Sequence, residues 1–277
     1  LVTENGGIAL RAAGSAAMRE LRQHFGLAAL TDVTGVAPWS ALLTVREGVA
    51  DLRVESSLLG VSSSLPEPFN KTATDRMALL VERRAATGAG DQWKVRLGET
   101  ANLTLMRRLD HGRLVIDRGL IAIGAADARL PERGLGLAMN ARRIDADMWR
   151  RRMGIGNGGG AGGAMPDIPA VGRVDLRADE FLIHGRTVHD LQLDGALDGG
   201  IWKMNIRSRE AAGRAEWTGQ GAGRLSGRLT RLELPDGAEG EAEVTAVDSA
   251  DDLQAVDLVV ENFSLRGKPL GELWLEA

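Results

Sequence analysis

Cysteine is absent from the 277 residues, which removes disulfides, thiolate catalysis and cysteine-ligated zinc together. Tyrosine is absent too, and aromatics amount to 4% of the chain. Sites for small rigid ligands lean on aromatic rings and a few fixed polar groups, so that class is poorly served. No apolar run approaches the roughly 18–20 residues of a membrane-spanning helix. No charged-then-apolar leader opens the chain. An excess of positive charge is also missing: the formal net charge is -4, which argues against a nucleic-acid face. Charges of both signs are interleaved, so neither an acidic nor a basic tail stands out. The sequence starts at Leu1 and stops at Leu275-Glu276-Ala277 inside a strand-like pattern, as an internal segment of a longer protein is expected to do.

What the chain has in quantity is strand signal. Trp93-Lys94-Val95-Arg96-Leu97 and Trp202-Lys203-Met204-Asn205-Ile206 alternate apolar with polar residues, as strands with one buried face do. Further strands are expected over Leu52–Leu58, Leu103–Arg107, Leu135–Ala141, Leu225–Leu234 and Leu253–Leu265. Asp-Gly, His-Gly and Gly-Gly pairs separate them, as antiparallel hairpins require. Two short helices are expected. One follows a Ser15 cap and puts Met18, Leu21 and Phe25 on one face before Gly26; the other covers Asp145–Met153. The run Gly154–Gly163 is too rich in glycine to hold regular structure cheaply. It divides the chain into a first segment, 1–153, a linker or loop, 154–166, and a second segment, 167–277.

That second segment contains a repeat. Asp175–Gly195 and Asp257–Ala277 align without a gap at an offset of 82 residues. Phe181, Gly185, Leu191 and Leu193 recur as Phe263, Gly267, Leu273 and Leu275, while Ile183 is matched by Leu265. The shared pattern is strand, tight turn, strand, and a repeat of this length suggests stacked β units with a continuous apolar face. Phe181, Ile183, Leu191, Leu193, Phe263, Leu265, Leu273 and Leu275 are therefore the candidates to line one apolar surface.

Sites of reactive chemistry fare worse. The glycine run lacks the Gly-Lys-Ser/Thr ending of a phosphate loop. His184 and His189 flank a turn, but the repeat places Arg266 and Gly271 at their positions, so surface histidines are the better reading than metal ligands. Asp145 and Asp147 have no partner base, and helix capping explains Asp145. No catalytic residue, metal or cofactor is expected.

Gly35-Val36-Ala37-Pro38-Trp39, Val54-Glu55-Ser56-Ser57-Leu58-Leu59-Gly60, Leu65-Pro66-Glu67-Pro68-Phe69-Asn70-Lys71 and Ile144-Asp145-Ala146-Asp147-Met148-Trp149, in this order and spacing, resemble the YhdP family of AsmA-like Gram-negative envelope proteins. The resemblance runs from about Gly14 to Ala277, with Gly154–Gly163 as a departure. It implies a mostly β fold: an elongated, curved antiparallel sheet forming a groove, with one or two short helices, akin to the TamB-like bridge proteins. It further implies a non-enzymatic, periplasmic role in phospholipid transport between inner and outer membranes, with anchoring to the inner membrane by parts outside this segment. The partners implied are phospholipid acyl chains and the two membranes.

Leu, Val, Ile, Ala and Met suit flexible acyl chains. Roughly fifteen strands at about 4.8 Å spacing would extend about 70 Å, as a groove needs. Periodicity alone does not separate an open groove from a closed core, and a structural scaffold of the envelope remains the alternative. Leu65, Pro66, Pro68, Phe69 and Lys71 read as a crossover covering one end of the groove, or as a gate with Lys71 near a phosphate headgroup.

Overall fold

Period-two alternation punctuated by glycine builds strands joined by tight turns. The computed structural model describes residues 2–4, 7–25, 31–86, 90–124, 128–153, 171–219, 223–234 and 255–276. In chain order the elements begin with β1 (Val2–Glu4), β2 (Gly7–Ala17), α1 (Met18–Phe25), β3 (Val33–Arg46), β4 (Val49–Ser56), β5 (Val61–Ser63) and β6 (Leu79–Ala86). Then follow β7 (Gly90–Leu97), β8 (Ala101–Asp110), β9 (Arg113–Gly124), β10 (Gly134–Asp145) and α2 (Ala146–Met153). The remaining strands are β11 (Val171–Ile183), β12 (Arg186–Asp198), β13 (Ile201–Arg207), β14 (Ala211–Thr218), β15 (Arg224–Leu234), β16 (Ala255–Leu265) and β17 (Lys268–Glu276). The expected mostly-β fold with two short helices is what forms.

Two compact units divide the described chain within β10: one ends at Ala138, the other begins at Met139. In the first unit the ladder runs β1, β2, β3, β4, β6, β7, β8, β9, antiparallel throughout. β5 stands off this ladder and pairs with the opening residues of β3, Gly35 facing Val61. Against that pair α1 lays Met18 and Leu21, closing a small core with Ala37, Val61, Val33 and Leu58.

In the second unit β11 to β15 form successive antiparallel pairs, and β16 pairs antiparallel with β17. Hairpin turns such as His184-Gly185 and Arg266-Gly267 have positive φ at both residues (50 and 68, 54 and 70). That is the two-residue turn whose twist matches paired strands.

Three expectations need adjustment. The helix begins at Met18 rather than after Ser15, because Ser15 to Ala17 stay in register with Pro38 to Val36 of β3. The sheet is not wholly antiparallel: β15 and β16 run parallel, Leu229 beside Val260. A parallel pair cannot be closed by a two-residue hairpin turn. The linker expected over Gly154–Gly163 lies outside the described residues.

Candidate functional site

The second unit gathers its apolar residues on one face. Val174, Gly195, Met204, Ala215, Gly227, Leu258 and Leu275 stand side by side across β11 to β17. The adjacent row is Leu176, Leu193, Ile206, Gly213, Leu229, Val260 and Leu273. Between these rows, on the reverse face, Asp175, Asp194, Asn205, Arg214 and Arg228 align. Strict alternation puts every member of a row on the same face, so fourteen positions in two rows carry no polar side chain. Among the described residues each of these strands lies beside its ladder neighbours, and α2 lies against β11. Val260 is fully buried, and Leu229 and Ala215 nearly so.

Of the eight apolar candidates, Leu191, Leu193, Leu273 and Leu275 belong to this face directly. Leu191 stands opposite Ala178 and Leu193 opposite Leu176; Leu273 and Leu275 repeat those places opposite Val260 and Leu258. Phe181, Ile183, Phe263 and Leu265 lie nearer the turns, beyond an irregularity. The apolar positions there step by three instead of two: Ala178 to Phe181, Val188 to Leu191, Leu229 to Leu232 and Val260 to Phe263. Register shifts between Ala212 and Gly213 and between Val260 and Phe263 mark bulges, and Asp190 adopts φ 54 at the same level. A bulge sets two residues against one, so the alternation resumes out of phase. The residues passed over at these bulges, Thr230-Arg231 and Glu261-Asn262, are polar, whereas β11 and β12 keep one register from Ala178 opposite Leu191 to Phe181 opposite Val188. The two candidate hairpins do not touch. Ile206, Met204, Ala215 and Leu229 of the intervening strands join them, and the repeat alone does not single these out.

The first unit has a comparable row, Ala12, Ala41, Val54, Val81, Val95, Leu103 and Ile121, across seven strands. Nearer the hairpin turns the same face turns charged. Arg83 stands between Leu52 and Trp93, and Asp91 stands opposite Arg107. Asp91 is fully buried. Its Oδ1 accepts from Arg107 Nε at 2.7 Å and its Oδ2 from Arg83 Nε at 2.8 Å, with Arg107 Nη2 also on Oδ2. Arg83 Nη1 donates to the Ala50 carbonyl at 3.0 Å. The hydrogen bond from Arg107 holds the Asp91 carboxyl down to about 2 against the opposing effect of burial, with help from Arg83. The Arg107 guanidinium lies 5.5 Å from the Trp93 ring centroid, a cation–π distance. Trp93 Nε1 is buried without a hydrogen-bond partner. At the other end of β6 and β7 an open cleft of about 750 Å³ is lined by Trp39, Ser56 and Leu79, with Glu55 and Arg96.

The proline segment sits beside β5. Pro66 is buried, Leu65, Pro68 and Phe69 are half-buried, and the Glu67-Pro68 bond is cis. Lys71 is also buried, its ammonium donating to the carbonyls of Val61 at 2.7 Å and Thr72 at 2.9 Å. Those carbonyls hold Lys71 in the loop, so it is not placed for the headgroup role expected of it. Asp145 Oδ1 caps α2 by accepting from Met148 N at 2.7 Å. Asp147 accepts the backbone N–H groups of His184 and Gly185, both at 2.8 Å, and so clamps the turn between β11 and β12. Burial opposes ionisation of Asp147, yet these two N–H groups keep its carboxyl below the usual range. His189 pairs with Glu210 through Nδ1 at 2.7 Å. Among the described residues no cluster of His, Cys, Asp or Glu could hold a metal ion.

No helix among the described residues is long and apolar enough to cross a membrane. Neither a curated protein nor a solved structure matches the chain. One family, described as YhdP protein, matches residues 2–277. That match covers the turn-clamping Asp147, the proline loop and both apolar faces alike, and the chain belongs to the YhdP family.

Proposed function

We propose that this chain is a lipid-holding segment of a periplasmic envelope protein, non-catalytic, with phospholipid acyl chains lying on its apolar faces during movement between inner and outer membranes. The observation that carries the reading is the pair of uninterrupted apolar rows across β11 to β17, with charged residues confined to the reverse face. Apolar patches beyond a few hundred Å² are rare on monomers and need a cover, and a fluid acyl chain conforms to leucine, valine and methionine side chains. Membership of the YhdP family is consistent with lipid transport. Phe181, Ile183, Leu191, Leu193, Phe263, Leu265, Leu273 and Leu275 extend the surface toward the hairpin turns. The loop Leu65–Phe69, with Lys71 pinned inside it, serves as a fixed cover at one end of the first unit.

Organic extraction of the purified chain, followed by mass spectrometry, tests the reading. Co-purified phospholipid, or stoichiometric uptake from vesicles after delipidation, is the expected result. A chain that neither carries nor takes up lipid, and whose apolar faces are covered by an envelope protein instead, would be a scaffold.

A further inference from the structure

We infer that Arg83 and Arg107 form a phosphate site on the apolar face of the first unit, where a glycerophospholipid docks its headgroup while its acyl chains follow the apolar rows. The inference rests on the lipid-holding reading and adds to it a ligand chemistry and a place. Two arginines share one carboxylate, which leaves a net positive charge on a face that is otherwise apolar. Of five N–H donors per guanidinium, Arg83 directs two and Arg107 two to the partners above, so donors remain on both. Both arginines keep about 30% of their side-chain surface exposed (30% and 28%), whereas Asp91 keeps none, so an incoming anion meets donors and not the carboxylate. Asp91 fixes the two forks in orientation, and a planar fork matches a phosphate's oxygens. The buried Trp93 Nε1 is a further donor without an acceptor.

Dimensions agree. Along β7 the distance from Asp91 to Leu97 is about 20 Å at 3.3 Å per residue. One leaflet's chains occupy about 15 Å, half of the 30 Å hydrocarbon core. A headgroup at the arginines therefore lets its chains run the length of the apolar row through Val81 and Val95.

Binding to the delipidated 277-residue chain is measured for three probes: phosphatidylglycerol and diacylglycerol with the same labelled chains, and glycerol phosphate. Phosphatidylglycerol should bind about tenfold more tightly than diacylglycerol, the scale of one charge-assisted contact. Arg107→Gln and Arg83→Gln should each remove most of that preference and leave diacylglycerol binding as it was. Arg107→Lys keeps a charge opposite Asp91 without the planar fork; it should melt near the wild type and still lose most of the preference. If Arg107→Gln does not fold, Arg83→Gln and Arg107→Lys decide. An equal affinity of wild type for both lipids, or a preference retained in the variants, overturns the phosphate site and leaves the lipid-holding reading intact. Glycerol phosphate binding as tightly as the lipid would mark a free-phosphate site and overturn the lipid assignment. Failure of the wild type to bind either lipid would reject the underlying reading itself.

Discussion

Leu193 stands between Leu176 and Ile206 on the apolar face, half-buried, and Leu193→Asp separates an open groove from a closed core. In an open groove water reaches the new carboxylate, so the cost is the lost apolar contact, about 1–2 kcal/mol for a half-buried leucine. The variant should keep its β circular dichroism, melt a few degrees lower and fail to retain lipid. In a closed core an unpaired charge is far costlier and the unit would unfold. Asp91 gives a second test through acid. Its folded carboxyl is held at about 2 against the ordinary 3.8, so the ion pair's stabilisation is complete above about pH 4 and is lost as pH falls through 2. The loss should be about 2 kcal/mol. Urea unfolding at pH 4 and pH 2 should show it in the wild type and not in Asp91→Asn; equal slopes would mean the carboxylate contributes nothing. Leu193 was legible in the sequence because period-two alternation reports a face. The role of Arg83 was not, since an arginine inside an alternating stretch reads as solvent-facing. Only its phase with Val81, and that of Asp91 with Trp93 and Val95, reveals that these charges share the apolar side. Lys71 misled for a related reason: its partners, Val61 and Thr72, are carbonyls, and carbonyls leave no trace in side-chain chemistry.

Single residues fix turns and bulges between the elements of this fold. Asp147 reaches from α2 to the turn between β11 and β12, and its two hydrogen bonds to His184 and Gly185 N–H are charge-assisted. Asp147→Ala should therefore cost about 1–3 kcal/mol and speed hydrogen exchange at those two amides while distant strands keep theirs. Unchanged protection would mean that the turn holds itself. Gly213 makes a similar local demand: at φ 147, a Cβ there would come within 2.4 Å of the Arg228 carbonyl oxygen. The repeat made the hairpins of β11–β12 and β16–β17 legible as strand, turn and strand, and Leu176 opposite Leu193 recurs as Leu258 opposite Leu275, while the pairing around Phe263 departs from that around Phe181. The parallel pairing of β15 with β16 was not legible, since alternation has no direction. The β15 bulge was present in the sequence as a doubled polar pair, Thr230-Arg231, but a two-state pattern reads such a pair as the end of a strand.

At the scale of the whole molecule, a sheet with one apolar face normally buries it against a second layer. Among the described residues, the elements recorded beside these strands besides their ladder neighbours are α1, α2 and the short β5. Hence the sequence predicts the class of fold well, through alternation and glycine turns, while leaving open what covers the face, because a groove and a core use the same alternation. Stability supplies the missing discriminator. A ligand that binds the folded state raises stability by RT ln(1 + [L]/Kd), about 2.7 kcal/mol at a hundredfold excess over Kd. A closed core gains nothing from phospholipid, whereas a groove emptied of lipid should gain on refilling. Delipidated protein should thus melt several degrees below protein supplied with phospholipid, with the midpoint climbing as lipid concentration rises. It should also bind a hydrophobic dye that phospholipid displaces. A midpoint indifferent to lipid, in a chain that binds no dye, would show the apolar rows already covered within the protein and would leave the scaffold reading in possession of the fold.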